Sequence, residues 1–196
     1  ATMDKQVESS KELYEAADIA MYQAKSTGKG RFSFYDQASK IKADERKVIA
    51  RQIAKALDDE NVLVFFQPVM TYDQDSEQHK IMGVEALARL KTGDKILAPL
   101  DFIKIAERNS SVIMISRIIY AKALKQLSEW NKTAKEPLNI FLNISFSQLN
   151  DMKLPDFIAE HVEKNNLDVN NIHFDIPESA YTHANEEQKK VLFKLA

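Results

Sequence analysis

The chain contains no cysteine, which excludes disulfides and thiol chemistry and fits a reducing compartment. No apolar run approaches the roughly 18 residues that cross a bilayer. There is no surplus of positive charge: 27 Lys and Arg stand against 29 Asp and Glu, whereas a general nucleic-acid binder is basic. The first residues, ATMDKQVESS, have neither the basic start nor the apolar stretch of a signal peptide. His79, His161, His173 and His183 are scattered, without the paired helical spacing of a zinc site. Gly28-Lys29-Gly30-Arg31 lacks the spacing of a Walker phosphate loop and reads as a helix-ending turn. Together these absences lead to the expectation of a soluble, cytoplasmic segment. It is expected to make no membrane contact of its own and to have no DNA or RNA duplex as partner, and an anionic ligand would require a local site.

What is present is a hydrophobic fraction of 44%, ordinary for a globular core. Residues 9–25 have Leu13, Ala17, Ala20, Met21 and Ala24 at three- and four-residue spacing, the stripe of an amphipathic helix. Ser9 or Ser10 is placed to cap it, with Glu12 in the first turn. Alternation around Phe32 and Phe34 predicts a short strand at 31–35. A charged helix follows at about 36–59, its apolar positions Ile41, Val48, Ile49, Ile53, Ala56 and Leu57. Strands are then predicted at 62–69 and 81–90, and their short connection favours antiparallel pairing. Beyond them the pattern reads helix 99–108, helix 112–130, strand 138–144, helix 155–165, strand 171–176 and a helix from about 184 that is still running at Ala196. Alternation of this kind implies parallel strands with helices packed outside, in an α/β barrel or an open α/β sheet. Phe65, Phe66 and Trp130 read as packing residues.

Three predicted strand ends carry polar groups that folding does not require: Glu85, Asn143, and Asp175 with Glu178. In a parallel barrel the carboxyl ends of the strands converge on one face, where ligands bind. Oxygens from Glu, Asn and Asp suit hard divalent cations such as Mg²⁺ or Mn²⁺. Taken singly, each residue also fits an ordinary turn or cap.

Several blocks of the sequence, in order, resemble the EAL domain family. They are Phe66-Gln67-Pro68-Val69, then Glu85-Ala86-Leu87 with Arg89, then Pro99 with Phe102-Ile103 and Ala106-Glu107, then Asn143-x-Ser145 with Gln148-Leu149. Upstream, Ala17-Asp18-Ile19-Ala20-Met21-Tyr22-Gln23-Ala24-Lys25 and Gly28-Lys29-Gly30-Arg31 resemble the closing helix and strand of GGDEF domains. The resemblance implies a helix–strand remnant of a GGDEF domain at 1–36, a connecting helix at 37–60, and the N-terminal half of an EAL domain at 61–196. The implied fold is α/β: an incomplete (β/α)8 TIM-type barrel with its first strand antiparallel.

The function implied is hydrolysis of cyclic-di-GMP to pGpG, a phosphodiesterase reaction using two Mg²⁺ or Mn²⁺ ions. By position, Glu85, Asn143 and Asp175 would be metal ligands. Gln67, Leu87 and Arg89 would line the substrate site, and Glu178 would steady a loop or a homodimer contact. Two features temper this expectation. The family's Glu-x-Thr-Glu reads Asp175-Ile176-Pro177-Glu178 here, which motivates an alternative: a degenerate domain acting as a cyclic-di-GMP receptor or interaction scaffold. No DDFG block occurs either, so the 196 residues are expected to be inactive alone. An incomplete barrel would also leave strand edges open to pairing.

Overall fold

The computed structural model describes residues 9–26, 30, 32–73 and 78–196. The chain forms two compact units, Ala1–Arg51 and Gln52–Ala196.

In the first unit, helix α1 (Ser10–Ser26) begins with a reciprocal cap. Glu12 N–H donates to Ser9 Oγ and Ser9 N–H donates to Glu12 Oε2, each at 3.2 Å. The expected apolar stripe is rotated: Ala16 is buried, whereas Ala17 and Met21 face solvent. Helix α2 (Gln37–Asp58) starts at Asp36, whose Oδ1 accepts from Ser39 N–H at 2.7 Å. The buried Ser39 hydroxyl donates to Gln23 Oε1 at 2.8 Å, and the Arg46 guanidinium lies 4.1 Å from the centre of the Tyr22 ring. Both contacts join α1 to the first half of α2. Of the apolar positions expected on α2, Ile41 and Val48 are exposed, while Ile53 and Ala56, in the second unit, are buried.

The strand expected at 31–35 does not form over its described residues, 32–35. A strand needs a neighbour to take its main-chain bonds, and the described residues of this unit offer none. Phe32 and Phe34 are exposed and touch edge to face, with ring centroids 5.4 Å apart. Residues 27–29 and Arg31, which hold most of the predicted glycine turn, lie outside the described residues.

The second unit is built on a mixed sheet. Strands β1 (Val62–Asp73) and β2 (Gln78–Thr92) pair antiparallel, as their spacing predicts. Both outrun the apolar segments that marked them, because Thr71 and Tyr72 continue the ladder against Lys80 and His79. A strand the sequence reading lacked, β3 (Lys95–Leu97), folds back on β2 after Gly93, whose φ of 60° a side chain would resist. Helices α3 (Pro99–Arg108) and α4 (Ser111–Asn131) follow, then β4 (Asn139–Asn143) and a 3-10 turn (Phe146–Asn150). The chain goes on through α5 (Leu154–Lys164), β5 (Ile172–Asp175), α6 (Glu178–Thr182) and α7 (Glu186–Leu195). The strand order is β1-β2-β4-β5, with β2–β4 and β4–β5 parallel.

Local chemistry explains the helix starts. Pro99 sits in the first turn of α3, where its missing N–H costs nothing, and Asp101 Oδ2 accepts from Ala98 N–H at 2.9 Å. Asn185 and Gln188 cap α7 reciprocally, with both bonds at 2.9 Å. Helix α4 packs across β1, β2 and β4. Its Ile115, Ile119, Ala123, Leu124 and Leu127 are buried, as are Val84, Ala86, Leu90, Ile140 and Leu142 of the sheet. These apolar groups form the core. Trp130, at the end of α4, meets Phe66 edge to face at 4.7 Å, the packing role expected of both.

Gly83 lets β2 lie tightly against the β4 backbone. A Cβ there would lie 2.4 Å from the main-chain oxygen of Asn139, its pairing partner. Backbone cannot yield as a flexible side chain does, so Gly83→Ala should destabilise the unit by about 1–3 kcal/mol. Urea unfolding checks this, and an unchanged midpoint would contradict the close approach.

Candidate functional site

Side chains alternate across a sheet, so register decides which residues share a face. Gln67 pairs with Glu85, Phe65 with Leu87 and Leu63 with Arg89. Glu85 in turn pairs with Phe141, and Asn143, two residues further along β4, pairs with Asp175. Gln67, Glu85, Leu87, Arg89, Asn143 and Asp175 therefore all lie on one face, opposite the face that carries Val84, Ala86, Leu90, Ile140 and Leu142. The six sequence-predicted residues of the strands share this face, though Gln67 and Arg89 do not line the cavity described below. Glu178 does not join them: it is an exposed residue in the first turn of α6.

The predicted position of Glu85 needs one correction. It does not end a strand but lies within the fifteen-residue β2. It does lie close to where parallel pairing with β4 stops, at Ala86, because β2 continues on to pair with β3. The expected convergence of polar groups at strand ends thus survives as convergence at the end of the parallel ladder.

Two of the candidate ligands touch. Asn143 Nδ2 donates to Glu85 Oε1 at 2.6 Å. Glu85 is half-buried, while Asn143 and Asp175 are exposed. Two carboxylates and an amide oxygen form a hard donor set suited to Mg²⁺ or Mn²⁺, and their placement on adjacent strands fits a cation. Among the described residues no group of three or more His, Cys, Asp or Glu side chains gathers as a metal site. The four histidines are engaged locally instead. His173 stacks on Phe141 at 4.9 Å, His161 lies against Phe157 at 4.2 Å, His79 meets Tyr72 at 5.3 Å, and His183 Nδ1 is 2.8 Å from Ser179 O.

Beside the pair opens a cavity of about 410 Å³. Glu85, Leu87, Asn143, Ser145, Asp175 and Pro177 line it together with apolar residues of α3 and α4, including Ile103, Ile115 and Ile119. Arg89 lies outside this lining. Its Nη1 donates to Ala88 O at 2.8 Å, and its guanidinium sits 5.1 Å from the centre of the Phe65 ring. Phe65, read from sequence as a packing residue, is 44% exposed. It sits on the polar face of β1, and sheet parity rather than its apolar character decides that.

Of the buried groups behind the site, sequence reading passed over Tyr120 and named Gln148 only within a motif block, without a role. Tyr120, on the apolar face of α4, is 2% exposed and Gln148 is 4% exposed. Tyr120 OH donates to Asn143 O at 2.7 Å and accepts from Gln148 Nε2 at 2.7 Å, while Gln148 Oε1 accepts from Ser145 N–H at 2.6 Å. Burial pushes the Tyr120 hydroxyl well above its ordinary pKa, and the bond from Gln148 offsets only part of that shift. Nearby, Arg117 holds Asp151 through Nε at 2.9 Å and Nη2 at 2.6 Å, fixing the end of the 3-10 turn to α4. The available signals were the hydroxyls of Ser116 and Tyr120 on a largely apolar helical stripe and Gln148 within a motif block.

The EAL domain family description matches residues 50–196. Among curated proteins, the biofilm architecture maintenance protein MbaA of Vibrio cholerae is 32% identical over 182 residues, covering 91% of this chain and 22% of that protein. The cyclic di-GMP phosphodiesterase PdeR of Escherichia coli is 25% identical over 171 residues, 87% of this chain and 25% of that protein. Among solved structures, the EAL enzyme Bd1971 in its cAMP- and cyclic-di-GMP-bound form matches with a TM-score of 0.70 and 22% identity, over 99% of this chain and 49% of that one. The chain thus spans about a quarter or less of the length of these two curated relatives.

The Asn143–Glu85 contact makes its own prediction. Asn143→Asp sets two carboxyl groups within hydrogen-bonding distance, and like charges that close do not both ionise. One of them should hold its proton above the ordinary carboxylate range, read by carboxyl ¹³C NMR against pH without added metal. Two ordinary titrations would mean that the side chains do not meet in solution.

Proposed function

The chain belongs to the EAL domain family, and from that premise we propose that its protein hydrolyses cyclic-di-GMP to linear pGpG with the aid of Mg²⁺ or Mn²⁺. The observation that carries this reading is the gathering of Glu85, Asn143 and Asp175 on one sheet face, with Asn143 bonded to Glu85 beside an open cavity. A relative named as a cyclic di-GMP phosphodiesterase supports the choice of substrate. Glu85, Asn143 and Asp175 would hold the cation, and a bound divalent ion supplies hydroxide at neutral pH and offsets charge on the phosphate.

The chain's own groups do the rest. Gln67 and Leu87 flank Glu85 on the same face and contribute one polar and one apolar contact to the dinucleotide. Arg89, two residues beyond Leu87, offers a planar donor fork that matches a phosphate. Glu178, exposed at the start of α6, is available to a neighbouring loop or to a second copy in a homodimer. Residues 1–36 form the end of a GGDEF domain and 37–60 the connector in the same reading, on the strength of the motif running from Ala17 to Lys25 within α1. The placement is cytoplasmic, where cyclic-di-GMP is made and read. Among the described residues no helix is long and apolar enough to cross a membrane.

One observation favours a second reading, a cyclic-di-GMP receptor or scaffold without turnover. Asp175 has a shorter arm than glutamate, and Pro177 supplies no main-chain donor at the start of α6. Incubating the intact protein with cyclic-di-GMP and Mn²⁺ and following pGpG by chromatography separates the two. Hydrolysis that drops at least about 100-fold in Glu85→Gln establishes the enzyme. Calorimetric binding without product establishes the receptor, and neither binding nor product would remove both.

A further inference from the structure

The buried bonds behind the site have one allowed direction. Ser145 N–H can only donate, so Gln148 must turn its oxygen toward it, at 2.6 Å. The Gln148 amide nitrogen then faces Tyr120, which has to accept, at 2.7 Å. The single hydroxyl hydrogen of Tyr120 is left for the Asn143 carbonyl, at 2.7 Å. The path runs from the carbonyl of Asn143 to the amide of Ser145 and grips the backbone on both sides of Ile144. The third hold is Ile144 N–H itself, which donates to Asp175 O at 2.9 Å and joins the same turn to the neighbouring strand. Three bonds therefore fix the segment from which the Asn143 side chain reaches Glu85.

We propose that Tyr120 and Gln148 are positioning residues, a buried relay that fixes the end of β4 so that the Asn143 amide is aimed at Glu85. The proposal deepens the functional reading above and rests on it for its consequence, since aiming matters only if Asn143 and Glu85 share a ligand. Neither relay residue belongs to the set that would touch a cation. Tyr120 and Gln148 line the inner wall of the cavity, but they act through the backbone of residues 143–145. Apolar packing alone would be served as well by Phe at 120 and Met at 148. The Tyr120 hydroxyl also meets Ser116 of its own helix, but its bond to Asn143 and both bonds of the Gln148 amide lead to this turn or to each other.

The test reads geometry first and binding second. In Tyr120→Phe, which removes one oxygen and keeps the ring, the side-chain amide resonances of Asn143 in a metal-free ¹⁵N spectrum should move toward their positions in Glu85→Gln. Gln148→Met, which cuts the relay at its other end, should move the same resonances. A role in stability alone would lower the melting temperature of both variants and leave the Asn143 amide of the folded protein where it is. Resonances unchanged in both variants overturn the proposal, whatever the protein binds. The second measurement is Mn²⁺ affinity by electron paramagnetic resonance. Tyr120→Phe should weaken it about tenfold, in line with loss of a group that orients a ligand. If the resonances move but the wild-type protein binds no Mn²⁺, the positioning role stands and the metal-dependent reading fails. If the wild-type protein binds Mn²⁺ and Tyr120→Phe binds it equally well with an unmoved amide, the functional reading stands and the relay does not.

Discussion

Everything in the second unit depends on α4 lying across the back of the sheet. Its buried Ile115, Ile119, Ala123, Leu124 and Leu127 meet a surface made by alternate residues of β2 and β4. Removing that much apolar surface from water is the dominant favourable term in a fold of this size. It also settles a question of parity. Once Val84, Ala86 and Leu90 turn toward α4, Glu85, Leu87 and Arg89 must turn away. A slip of one residue would bury Glu85 and Arg89 and expose the core, so the hydrophobic contact fixes the polar face as firmly as it fixes itself.

The same helix links the core to the site chemically. Tyr120 belongs to the buried stripe by its ring and to the site by its hydroxyl, and Gln148 completes the link from the 3-10 turn. A polar group this deeply buried is costly unless every donor and acceptor is used, and here the Tyr120 hydroxyl both donates and accepts. Gly83 acts at the other end of the parallel ladder. By letting β2 approach the Asn139 backbone, it brings the two strands together where pairing begins. Close packing at one end and a directed polar path at the other hold β2 and β4 in a single relation.

Much of this was legible in the sequence because periodicity reports burial. The apolar repeat marked α4, and Pro99 marked the start of α3. Polar groups near strand ends and the ordered motif blocks singled out Gln67, Glu85, Leu87, Arg89 and Asn143, which the register then puts on one face. What the sequence hid has physical reasons. The strand expected at 31–35 is a local preference without a partner, and alternation cannot supply a neighbour. β3 is three residues long, too short to carry a period, and only the Gly93-Asp94 turn announces it. On α1, Ala16 and Ala17 are chemically alike, so the buried stripe could be assigned one residue out of place. Phe65 was read by its apolar surface, but its strand position put it on the polar side. Tyr120 was masked in the opposite way, since a hydrophobic ring in a hydrophobic stripe draws no notice to its oxygen.

The antiparallel start of the sheet has a consequence in time as well as in space. In an all-parallel sheet, no two strands can pair until the crossover between them has been closed. Here β1 and β2 are neighbours in sequence and share a long ladder from Val62–Leu90 to Asp73–Gln78. The next pairing, Gly83 with Asn139, spans a far longer stretch of chain. Loop-closure entropy rises with that span, so the hairpin is the least costly first event and gives later strands a ready edge. A reversed first strand thus equips a topology that folds slowly in general with a local seed, and the residues within that seed, Gln67 opposite Glu85, are also ones that turn to the polar face of the sheet.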